Sequence, residues 1–180
     1  MNKRIIVIAE KNNKAERKEL ASIIKANVKS AKLNDIRIAT KHVEIDMFSE
    51  DPDLTKIELS KYFKINELRI LTGQTFENIF ETSKKFFNEE RFWEVHEMLE
   101  NIWRNKKGDE KKILHGLILL AAAFVHHQKN RNEVALSILK RSYEELKNYS
   151  LNYNGFDISL IKKKMAEMIE KGQIEIFKIT

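Results

Sequence analysis

Ile113-Leu114-His115-Gly116-Leu117-Ile118-Leu119-Leu120-Ala121-Ala122-Ala123-Phe124-Val125 is apolar on every side of a helix apart from His115. A helix without a polar face has to be enclosed. A helix of this length rises only about 20 Å, too little for a bilayer hydrocarbon core of roughly 30 Å, so the enclosure is protein. Gly116 and Ala121 to Ala123 supply small positions at which neighbouring helices approach closely. The stretch predicts the central helix of a bundle.

The flanking sequence supplies its neighbours. Helical patterns run over Phe76 to Asn88, Arg91 to Asn105, Glu110 to Lys129, Glu133 to Tyr149 and Ile158 to Lys171. Asp109, Asn132 and Asp157 are expected N-caps, with Gly108 and Gly172 just past helix ends. The beginning of the chain reads differently. Arg4 to Ala9 reads as a short buried strand and Asn13 to Leu33 as an amphipathic helix with Leu20, Ile24, Val28 and Ala31 inward. Ile36 to Phe48 reads as extended, with a change of alternation near Thr40 that suggests a bulge or two short strands.

The fold class is therefore α+β: a predominantly helical bundle around a central apolar helix, with a small N-terminal β-α-β unit joined by a C-terminal strand. The expected divisions are residues 1–48 for that unit, 49–74 for a connecting segment without assigned structure, 75–172 for the bundle, and 173–180 for a strand pairing with the N-terminal sheet. The acidic, proline-containing stretch Ser49 to Asp53 marks the first boundary.

Composition narrows the chemistry. The 180 residues contain no cysteine, which removes disulfides, thiolate nucleophiles and cysteine-based zinc sites, leaving histidine and carboxylate as strong metal ligands. The apolar run Ile5 to Ala9 is too short for a signal peptide, and a cytoplasmic protein without membrane attachment is expected. The net charge is +6, and residues 1–48 hold eleven Lys/Arg against six Asp/Glu. Attraction to polyanions would thus reside at the amino-terminal end. Lys14, Lys18, Lys25, Lys29 and Lys32 project within about 60° of one another if one helix carries them, a stripe able to follow phosphates. No aromatic residues interleave with them for base stacking.

A second feature lies on the helix preceding the apolar one. Phe92, Val95, Leu99, Ile102 and Trp103 share an arc with His96 at its margin, and Glu100 falls between His96 and Trp93. His96 and Glu100, four residues apart, can touch, and a carboxylate beside aromatic surface needs a partner or a raised pKa. The pair reads as an internal hydrogen-bonded contact reaching His115 or His126, or as metal ligands or an acid and base pair in a pocket. His115 and His126 are eleven residues apart, about 16 Å along the axis, so they cannot share one ion. A metal site would use His96 and Glu100 with one of them, His126 in the version preferred here. His-Glu-Met-Leu-Glu is not the zincin pattern, since Glu100 stands where a second histidine would be.

The run Phe87-Asn88-Glu89-Glu90-Arg91-Phe92-Trp93-Glu94-Val95-His96-Glu97-Met98-Leu99-Glu100-Asn101-Ile102-Trp103-Arg104, followed by Gly116-Leu117-Ile118, resembles the family known as domain of unknown function 309. That family's pattern has an aromatic residue before Ala-His-Glu-x-x-Glu, closes the helix in Trp-Arg, and continues in Gln-Gly-Leu-Ile-Gln with a histidine nearby. The resemblance covers roughly residues 75–150. It implies an all-helical bundle with no assigned reaction, and it places His96, Glu97, Glu100, Trp103, Gly116 and His126 at characteristic positions. The chain departs from the pattern at Val95, His115 and Leu119, where the family has Ala and two Gln.

The function expected from these readings is a helical module that binds a protein or small-molecule partner without an assigned reaction and without a specified cofactor. Its candidate polar site is His96, Glu97, Glu100, Trp103, His115 and His126, with no catalytic residue singled out. Two alternatives stand beside it: a metal-dependent hydrolase-like site using His96 and Glu100, and nucleic-acid binding through the lysine stripe.

Overall fold

A computed structural model describes residues 2–12, 16–71 and 77–179. The chain divides into two compact units, Met1–Thr75 and Phe76–Thr180. It is α+β with a helical majority.

The first unit runs β1 (Lys3–Glu10), α1 (Arg17–Asn27), β2 (Ala31–Ile38), β3 (His42–Ser49), α2 (Pro52–Ser60) and β4 (Ile65–Ile70). Its sheet has the order β2-β3-β1-β4, with every neighbouring pair antiparallel. This β-α-β-β-α-β connectivity is the ferredoxin-like arrangement, in which each crossover skips one strand position. The expected β-α-β unit is thus half of a larger one. Residues 49–74, read as a connector, contribute α2 and β4, because Asp51 caps α2 through the Leu54 amide and Pro52 starts it. The phase change near Thr40 separates two strands, with the register shift in β2 between Leu33 and Asp35.

Period-two alternation sorts the sheet's side chains. Ile5, Val7, Ala9, Ile36, Val43, Ile45 and Met47 join Leu20, Ile24 and Leu59 in one core. The residues between them on β2 and β3 are charged. Arg37 and Glu44 meet at 2.6 Å, both buried, and Asp46 accepts from Arg4 at 2.7 Å.

The second unit runs α3 (Ile79–Asn88), α4 (Phe92–Trp103), α5 (Gly108–Gln128), α6 (Asn132–Leu146), β5 (Asn152–Tyr153), β6 (Phe156–Asp157) and α7 (Ile158–Lys171). The apolar stretch lies within α5, which packs against both α4 and α6. Leu114, Leu120, Ala121, Ala123 and Phe124 have no exposed surface. Asp157 caps α7 by accepting from the Leu160 amide, and Gly172 ends that helix in the left-handed region at φ 64°, as expected. The other two expected caps lie elsewhere: Lys107 and Arg131 hold the N-cap positions of α5 and α6. Asp109 instead accepts from the Tyr149 hydroxyl at 2.8 Å. Asn154 and Gly155, at φ 48° and 88°, make the two-residue hairpin turn between β5 and β6 that an Asn-Gly pair favours.

The strand expected over residues 173–180 is not formed in the described part of that segment. Gln173 to Ile179 carry no strand pairing, and the four-stranded sheet consists of β1 to β4. The segment packs on the helical core instead, with Ile179 buried there. A β-favouring composition cannot by itself make a strand, because the partner edge decides.

Candidate functional site

The turn between α3 and α4 sets the orientation of the candidate site. Glu90 adopts φ 60° and reverses the chain. Arg91 then lies over the Phe86 ring at 4.2 Å and bonds Glu94 at 2.6 Å. Glu94 is therefore the buried carboxylate of α4, only 4% exposed. Burial of a charge is tolerable when it is paired in this way. The Arg91–Glu94 spacing of three residues was readable from the sequence as a helical pair and is absent from the residues singled out there.

With Phe92, Val95, Met98 and Leu99 turned into the core, the next positions around the helix form its margin. His96, Glu97 and Glu100 are all half-buried, and one ligating atom from each lies within 4.8 Å of the other two. His96 Nδ1 is 3.4 Å from Glu97 Oε1 and 3.9 Å from Glu100 Oε2. Arg104 donates to Glu100 at 3.1 Å. The expected His96–Glu100 contact is present, but Glu100 is 32% exposed and lies at the rim of the aromatic arc, not within it. Neither His115 nor His126 belongs to the three-residue cluster. Glu97, adjacent in sequence, completes it in place of His126.

His115 enters a different group. Its Nδ1 lies 2.9 Å from Glu145 Oε1 on α6, and its ring stacks on Trp103 with centroids 5.7 Å apart. Lys111 Nζ covers the same indole at 4.6 Å. Thus Trp103 is shared between α4 and α5, and His115 is held by a carboxylate from a third helix. Glu145 had no signal in the sequence, since a contact across 30 residues depends on how α6 seats. Close by, burial and the Glu110 carboxylate push the Tyr153 phenol well above its ordinary value. The two groups meet at 2.9 Å. His126 lies near the other end of α5, half-buried. Its neighbour His127 contacts Asn132 at 2.8 Å.

The lysine stripe does not form as a single row. α1 ends at Asn27, where Val28 turns extended at φ −97°, ψ 113°. Of the described lysines in the stripe, Lys18 and Lys25 ride on the helix, Lys29 lies in the following loop and Lys32 stands on β2. Lys14 lies outside the described residues. Among those residues, no helix is long and apolar enough to cross a membrane.

Comparison with known proteins places the site in context. Residues 80–138 match the model of the family described as Domain of unknown function (DUF309). That stretch contains the α4 cluster, Trp103, His115 and His126, and it meets the resemblance read from the α4 motif. An uncharacterized protein of Aquifex aeolicus (strain VF5) is 25% identical over 113 residues, covering 62% of this chain and 34% of the relative. The match thus spans about a third of that relative's length. The crystal structure of a conserved hypothetical protein from Thermus thermophilus shares 28% identity with a TM-score of 0.45, covering 50% of this chain and 94% of that one. None of these descriptions names a reaction.

Proposed function

We propose that the helical unit is a binding module of a cytoplasmic protein, and that its ligand is a divalent cation taken by His96, Glu97 and Glu100. The observation that carries this reading is the spacing of the ligand atoms. A tetrahedral cation bound at about 2.0–2.1 Å to nitrogen and about 2.0–2.2 Å to oxygen needs ligands roughly 3.3–3.5 Å apart. The distances from His96 Nδ1 are 3.4 Å to Glu97 and 3.9 Å to Glu100. A small rotation of Glu100 off Arg104 closes the difference. An imidazole with two carboxylates also matches the donor set that zinc accepts. Three protein ligands leave a coordination position open, so the hydrolase-like reading extends this one and does not compete with it.

Titration of the full chain with zinc in a calorimeter tests the proposal. One cation per chain is expected. His96→Ala, Glu97→Gln and Glu100→Gln should each weaken binding at least tenfold while leaving the helical circular dichroism unchanged. Absence of zinc binding, or variants that bind zinc as tightly as the unaltered chain, overturns it.

A further inference from the structure

The segment following α7 is bound to the helical unit in an unusual way. Asn88, the last residue of α3, donates from Nδ2 to the Ile179 carbonyl at 2.8 Å and accepts from the Ile179 amide at Oδ1 at 2.7 Å. Both backbone groups of one residue are therefore read by a single carboxamide. This reproduces the exchange that a neighbouring strand residue makes in a hydrogen-bonded antiparallel pair. Such a contact recognises extended backbone whatever side chain it carries.

Selectivity comes from alternate side chains, which point the same way in an extended peptide. The Phe177 ring lies 5.5 Å from Phe87 and 5.8 Å from Phe124, joining an aromatic group that includes Phe92, 4.8 Å from Phe124. Two residues later, Ile179 is only 1% exposed. Gln173 to Ile179 form neither helix nor strand, so side chains and the Asn88 pair supply most of the hold. Ordering seven residues opposes those contacts, and release of the segment is a local opening distinct from unfolding of the helices. Gly172, left-handed at φ 64° with its amide on the Ile169 carbonyl, ends α7 and fixes the point from which the segment departs.

We propose that the cleft formed by Asn88, Phe87 and Phe124 is a recognition site for an extended peptide of Phe-x-Ile pattern, filled in cis by this chain's own residues 173–179. The segment acts as a displaceable internal ligand. A partner that presents the same pattern competes with it, using backbone pairing for affinity and alternate pockets for specificity.

The probe is a fluorescein-labelled synthetic peptide with the sequence of residues 173–180, titrated with the full chain by fluorescence anisotropy. Full-length Phe177→Ala/Ile179→Ala, whose internal ligand is weakened, should bind the probe at least tenfold more tightly than the unaltered chain. Adding Asn88→Ala should cancel most of that gain, and a probe with both apolar residues changed to alanine should not bind. A folded double variant that binds no better than the unaltered chain overturns the proposal. If the double variant does not fold, hydrogen exchange on the unaltered chain decides. The Ile179 amide should exchange at least a hundredfold faster than the Leu120 amide of α5, and equal rates overturn the proposal.

Discussion

At the scale of single residues, Glu44 shows how pairing overrides burial. Its carboxylate has no exposed surface and meets Arg37 at 2.6 Å. Burial alone pushes such a group up, but the Arg37 guanidinium, with His42 4.0 Å away, outweighs it and holds Glu44 below the ordinary carboxylate range. The sign of the pH effect follows. A folded-state pKa below the unfolded one contributes stability that is full above the unfolded value and lost as pH falls through the folded value. The first unit should therefore lose stability below about pH 4. Glu44→Gln should lower stability at pH 7 by about 3 kcal/mol, because Arg37 stays charged and buried, and should flatten the acid dependence. Urea denaturation at pH 7 and pH 2.5 measures both, and an equal loss at the two pH values would contradict this account. The sequence shows Arg37 and Glu44 only as charges in an extended stretch. That they face each other is a matter of strand register. His96, Glu97 and Glu100 were legible because one helix carries all three.

Elements are the scale at which the apolar stretch acts. α5 is enclosed as its sequence demands, and at Gly116 α6 lies directly against it. A Cβ built at Gly116 would stand 2.5 Å from Leu146 Cγ and 2.7 Å from its Cδ2. Ser142 on α6 donates to the Gly116 carbonyl at 2.7 Å, fixing the approach. Glycine within a helix costs roughly 0.5–1 kcal/mol relative to alanine, so alanine would help if space allowed. Leu146 is fully buried and has no free direction to move. Gly116→Ala should thus destabilise the helical unit by a net of about 1–2 kcal/mol through overpacking. Chemical denaturation followed by helical circular dichroism checks it, and a stabilising change would show that α6 does not seat there. Small residues in an apolar helix announced a close approach without saying by which helix. α1 shows the limit of periodicity: its helical pattern runs on to Leu33, yet the chain turns extended at Val28 and sends Ala31 to Ile38 into β2. Sheet pairing with β3 outweighed the local helical preference of that stretch.

For the whole molecule, the two units carry separate apolar clusters with no residue in common. Residues 76–180 expressed alone should therefore give a cooperative thermal transition and a strongly helical spectrum. A non-cooperative, dye-binding state would show that this unit needs the rest of the chain. What the sequence determined by itself is local: the α5 helix and the need to enclose it, the helices around it, the β3 strand, the Asp157 cap, and the clustering of His96 with Glu100. Each rests on periodicity or on groups within one helical turn of one another, where geometry follows from spacing alone. Tertiary structure decided the rest. It brought β4 to the edge of the sheet, Glu145 to His115 across 30 residues, and the segment after α7 to Asn88 instead of to a strand. These contacts join positions far apart in the chain, and they form because the whole unit buries apolar surface and satisfies backbone groups at once. No short stretch of sequence carries that sum.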